Sequence, residues 1–262
     1  MILRRLMQSL KEQNWTAIII EFVLLVTGVF LGIQVSNWNQ SQADVRLGRD
    51  YVRRLIHDLG QDRVALGSEL AYYTAVLQSV RETDDLLRAA DPDPRTLITS
   101  AYRASEVTYI APVRATWDQI VSSGHLGLLP TSAGESNVSI YYSFDVGQDT
   151  YNIGLASAYR RTVRSIIPIS MQAAIRAGCS DVRGRQGTII GFSKTCEFNA
   201  DPSALKQVAD ALRNDPAVAA DLRFQYGFAI SARTNLQGQY NTIGDALAAL
   251  GAKPTAKPEP VP

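Results

Sequence analysis

The sequence predicts a mostly α protein: an N-terminal single transmembrane helix followed by an antiparallel helical bundle with one disulfide-closed loop. Three observations lead there. An apolar run, Thr16 to Val35, has the length of a membrane span. Beyond it Val52, Leu59, Leu66, Tyr73, Val80 and Leu87 recur every seven residues, as on a buried helical face. Farther on, Cys179 and Cys196, the only cysteines among 262 residues, enclose a glycine-rich stretch without helical periodicity. The divisions that follow are a basic tail at 1–15, a transmembrane helix at 16–36, a helical domain at 37–252 and a proline-rich tail at 253–262.

A helix of 20 residues rises about 30 Å, the thickness of a hydrocarbon core. Glu21 is its one ionisable residue, and Trp15 and Trp38 bracket it as interface anchors, where amphipathic rings sit well. A cleaved signal peptide would have a shorter core and a small-x-small exit. Here the long run leads into Asn37, Trp38 and Asn39, which favours a retained anchor. Arg4, Arg5 and Lys11 before the span nearly balance Arg46, Arg49, Arg53 and Arg54 after it, so charge alone leaves orientation close to a tie. The cost of moving a basic tail outward and the cysteine pair, suited to an oxidising compartment, favour a cytoplasmic N-terminus.

Glu21 has three readings. The carboxylate can snorkel to the headgroups, toward Lys11. Alternatively it belongs to a helix-docking face: at 100° per residue Glu21, Leu25, Gly28 and Gly32 fall near one line, and Gly28-x-x-x-Gly32 lets a second helix approach closely. The partner would be another transmembrane helix, a second copy or a subunit of a membrane complex. Proton or ion handling is the third reading, a poor one with no second polar group in the span.

"EFVLLVTGVFLGIQVSNWN" resembles the N-terminal signature of a bacterial domain family of unknown function, through Glu21, Val26, Gly28, Gln34, Asn37, Trp38 and Asn39. "ATWDQIVSSGHLGLL", Ala115 to Leu129, followed by Ile140, Tyr141 and Tyr142, is similar to a second segment of that family. Together the motifs cover a minor part of the chain. The resemblance implies architecture rather than activity: a single-pass membrane protein with a mostly helical soluble domain. With the orientation favoured above, the expected location is the bacterial inner membrane, the C-terminal domain periplasmic.

Within that domain the heptad helix runs over Val45–Leu87, with Ile56, Leu70 and Leu77 in a second seam that Arg63 and Asp84 interrupt. It has the makings of a stalk continuing from the span. "DPDP", Asp91 to Pro94, ends it. Helices are expected at Arg95–Tyr109, at Ala115–Ser123 with Gly124 as a left-handed cap, and from Glu135 or Ser136 to Ala177 with a kink or break at Pro168. "GTIIGF" reads as a strand or hairpin inside the loop that a Cys179–Cys196 disulfide would close. Asp201–Pro202 and Asp215–Pro216 each start a helix, the second running over Ala217–Leu250. The tail "GAKPTAKPEPVP" reads as a frayed end or, alternatively, a docking peptide.

Composition limits the chemistry. A net charge of +1 argues against nucleic-acid binding. Two histidines cannot build a metal site with cysteines committed to a disulfide. His125 follows Ser122 and Ser123, but a helix-ending turn explains that cluster more simply than a nucleophile–base pair. His57, among Arg53, Arg54 and Asp58, marks a solvated face. Gly184 to Gly191 lacks the lysine and hydroxyl of a phosphate loop. Arg160 and Arg164, one turn apart, are either ion-paired to neighbouring helices or the anion end of a ligand pocket. The expected protein is therefore not an enzyme and uses no cofactor. It sits in the lipid bilayer as an accessory or scaffold subunit. The alternative is a sensor-type domain that binds a small ligand and relays to a partner, since no second hydrophobic span returns to the cytoplasm.

Overall fold

A computed structural model describes residues 15–130, 137–179, 181–184 and 187–252, and of residues 15–18 the backbone alone. The Trp15 side chain, both tails with Arg4, Arg5 and Lys11, and the expected helix start at Glu135 or Ser136 therefore lie outside the described residues. The chain divides into two compact units, residues 1–50 and 51–262, taken separately below. One helix, α1 (Trp15–Arg88), contributes to both.

In the first unit every described residue belongs to α1. Its run of Ile, Leu, Val and Phe contains no proline, so the backbone satisfies its own hydrogen bonds throughout. Side chains from 19 to 43 are all exposed. The helix is long and apolar enough here to cross a membrane.

The second unit is mostly helical. On α1, Tyr51, Leu55, Leu59, Leu66, Tyr73, Val76, Leu77 and Val80 are buried. The expected first seam is thus present from Leu59 to Val80, its ends Val52 and Leu87 being only half-buried, but its companion differs. It runs Leu55, Asp62, Glu69, Val76, Thr83, one residue out of step with Ile56, Arg63 and Leu70, which are only half-buried, while Leu77 of the expected seam is buried beside it. Two carboxylates thereby enter the core face. Asp93 accepts the Thr96 N–H and starts α2 (Pro94–Ala104), with proline where no donor is needed. The helix stops short of the expected Tyr109, because buried Ser105 turns its hydroxyl onto the Tyr102 carbonyl and residues 106–114 form an irregular connection. Next come α3 (Ala115–Ser122) and a 3₁₀ turn (His125–Leu128). Gly124 joins them at φ 70°, the left-handed conformation expected of it.

The helical pattern expected from 135 to 177 is four helices: α4 (Asn137–Ser143), α5 (Val146–Leu155), α6 (Ala158–Ile166) and α7 (Ile169–Gly178). Asp145 and Ser157 cap α5 and α6 by accepting the Gln148 and Arg160 N–H groups, and Pro168 precedes α7. β1 (Asp181–Arg183) pairs antiparallel with β2 (Ile189–Phe192), with a register shift between Val182 and Arg183. Then α8 (Pro202–Asn214) and α9 (Pro216–Ala249) start from the Asp201 and Asp215 caps.

The main core brings Leu97, Ala101, Val163, Ile175, Leu212 and Leu222 around Val80 of α1. A smaller cluster joins Tyr72, Val76 and Leu77 of α1 to Ala229 of α9, with Phe192 of β2 against it. Cys179, which caps α7, is bonded to Cys196 with the two Cα atoms 4.5 Å apart, so the β-hairpin lies inside the closed loop. A loop of this length is worth about 3 kcal/mol on the chain-entropy account.

Candidate functional site

Three places in the molecule hold chemistry. The first is the N-terminal face of α1. Glu21 and Leu25 are exposed, and a side chain added at Gly28 or Gly32 would meet no atom within 4 Å. The helix therefore offers a glycine-floored strip below a carboxylate. Trp38 is also exposed.

The second is Glu106, just beyond α2, where three arginines converge on one buried carboxylate. The shortest contacts to it are 3.0 Å from Arg164, 3.4 Å from Arg176 and 3.9 Å from Arg160. Arg164 also donates from Nε to the Ser105 hydroxyl at 2.9 Å and lies over the Tyr102 ring, 3.5 Å from its centroid. Arg160 donates to the Ser105 carbonyl at 2.5 Å. Burial, then Arg164, holds the Arg160 pKa below its usual value, whereas Glu106 raises that of Arg176. Both candidate anion-binding guanidiniums are thus engaged by protein groups, the arrangement that the ion-pair alternative describes.

The third was not visible as a motif. Asp62 and Glu69 of α1 hold the 106–114 connection by its backbone. Asp62 accepts the Val113 N–H at 2.8 Å, and Glu69 accepts the Ile110 N–H. Tyr141 of α4 donates to the second Asp62 oxygen at 3.0 Å, and Tyr109 donates to Asp145 at 2.5 Å. A cavity of about 10 Å³ lies among Asp62, Glu69, Tyr109, Tyr141 and Asp145. Burial is the main cause that pushes Glu69 up to about 8, against the pull of the Ile110 N–H, and Asp145 adds repulsion. Burial likewise pushes Asp62 up to about 6, although Val113 and Tyr141 favour its charge. Tyr141 and Gln239 also line a wider groove of about 520 Å³ between α4, α5 and α9, where Ile140, Phe144 and Ile153 are exposed. That volume falls within the range of small-molecule sites, about 300–1,000 Å³.

The histidines lie apart from these places. His125 Nδ1 is hydrogen-bonded to the Tyr51 hydroxyl at 2.9 Å, while Ser122 donates to the Gln119 carbonyl. His57 is exposed and bonded to Gln61. Among the described residues no group of three or more His, Cys, Asp or Glu side chains is arranged to hold a metal ion. The signal that would have located the third place is periodic: Asp62 and Glu69 are seven apart and in step with Leu55 and Val76. Comparison with family models, curated proteins and solved structures finds no match to this chain.

Proposed function

We propose that the chain is a non-catalytic, single-pass membrane-anchored protein. Its N-terminus is cytoplasmic and its helical domain, an antiparallel bundle, is periplasmic. It acts as an accessory or scaffold subunit that docks on membrane partners through Glu21, Leu25, Gly28 and Gly32. The carrying observation is the apolar stretch of α1, whose side chains from 19 to 35 are exposed on every side within the chain's own fold. So much unbroken apolar surface calls for lipid or another helix. The Cys179–Cys196 disulfide supports an oxidising compartment. The resemblance of the "EFVLLVTGVFLGIQVSNWN" segment to a family of single-pass bacterial proteins agrees with this reading.

The test is copurification from mild detergent. Glu21→Ala and Gly28→Leu are each expected to lose membrane partners that the unsubstituted chain retains. Retention of every partner by both variants would reduce the face to a lipid contact. A second reading, a periplasmic ligand-binding domain that relays to a partner, is favoured by one observation, the groove between α4, α5 and α9.

A further inference from the structure

We infer that the groove between α4, α5 and α9 binds a small organic cation with an apolar body, an arylalkylamine or alkylamine. The inference rests on the ligand-binding alternative and names its ligand class.

The groove has two unlike walls. Ile140, Phe144 and Ile153 stand 52%, 67% and 62% exposed on one side, an apolar cluster that none of the described residues covers. Facing them, α9 presents Thr234, Asn235, Gln239 and Thr242, which are polar and uncharged. Between Asn235 and Gln239, Gly238 opens the floor to the helix backbone, since a side chain there would meet no atom within 4 Å. Such a site takes an elongated apolar body along one wall and hydrogen-bonding groups along the other.

Charge selects the head group. Asp149 lines the groove, and behind the shared Tyr141 and Gln239 the small cavity adds Asp62, Glu69 and Asp145. Among the described residues neither lining contains a lysine, arginine or histidine. The nearby bases are directed elsewhere. Arg63 lies over the Tyr240 ring, and Arg114 donates to the Tyr142 carbonyl and pairs with Asp118. Arg233 adjoins Thr234 in sequence but is exposed outside the lining. An ammonium beside Asp149 gains an opposite charge and, at neutral pH, sits in the field of Asp62 and Asp145, with Glu69 adding its charge only above about pH 8. A carboxylate ligand would meet the same groups as repulsion. A bare metal ion would leave the apolar wall unused and lacks a suitable donor set.

The experiment follows thermal unfolding of the full chain in lipid nanodiscs with three water-soluble probes of similar shape: 2-phenylethylamine, 2-phenylethanol and 3-phenylpropionate. The amine is expected to raise the midpoint saturably, the alcohol less, and the carboxylate not at all. Asp149→Asn should weaken the amine about two- to fivefold, the scale of an exposed ion pair. Gly238→Phe, which fills the groove from its floor, should abolish the response. Equal responses to all three probes, or an amine response surviving both substitutions, would overturn the inference. A saturable response to the alcohol or carboxylate alone would overturn the cation and leave the ligand-binding alternative standing. No response to any probe would remove both.

Discussion

Glu69 and Asp62 carry the clearest pH signature in the molecule. In the folded chain burial raises Glu69 from 4.5 to about 8 and Asp62 from 3.8 to about 6. Well below the ordinary values of 3.8 and 4.5 both groups hold their protons folded or unfolded, so they cost nothing. As pH rises the unfolded chain ionises first and the folded chain is left holding protons. Stability is therefore expected to fall from about pH 4 through 8, the upper part of that window belonging to Glu69 alone. Unfolding midpoints across this range should show the decline. Glu69→Gln, which keeps an oxygen for the Ile110 N–H, should flatten the upper part and be the more stable form at pH 8. A parallel decline in the variant would rule the group out. Sequence reasoning missed both residues because a carboxylate within an apolar seam reads as an interruption, although Asp62 keeps the phase of Leu55 and Val76. What covers the two carboxylates is a partner from far along the chain, the backbone of Val113 at Asp62 and of Ile110 at Glu69.

At the scale of elements, legibility follows the locality of the cause. The Asp201–Pro202 and Asp215–Pro216 helix starts and the left-handed Gly124 are decided within a few residues, and each stands where its sequence indicates. The expected helical stretch through 135–177 breaks at Pro168 as its sequence indicates, but it is also divided at Asp145 and Ser157, whose capping power was outweighed by the apolar periodicity across them. Arg160 and Arg164 were legible as a pair one turn apart, but their partner Glu106 and the third guanidinium, Arg176, were not, because it takes the tertiary packing of α6 and α7 to bring them together. The disulfide has an element of its own to govern, the β-hairpin between the two cysteines. Replacing both cysteines by serine is expected to lower unfolding free energy by about 3 kcal/mol. Reductant should lower the unsubstituted chain by the same amount and leave the variant unchanged. A stability loss in the variant without any effect of reductant would locate the cause in packing at Cys179.

For the whole molecule, the decisive quantity is the compartment of the helical unit. A reporter that matures only under oxidising conditions, fused after Pro262, is expected to be active. Inactivity, with a cytosolic reporter active in its place, would reverse the orientation and remove the setting in which the disulfide persists. The exposed apolar stretch of α1 would remain long and apolar enough to cross a membrane in either case. The 106–114 connection carries a different kind of consequence, one for how the chain can diverge. Its amides are gripped by Asp62 and Glu69 rather than by a neighbouring strand. Mutational drift can therefore rewrite many of its side chains at little cost, yet an imino acid is barred at Ile110 and at Val113, even though Pro112 already stands between them.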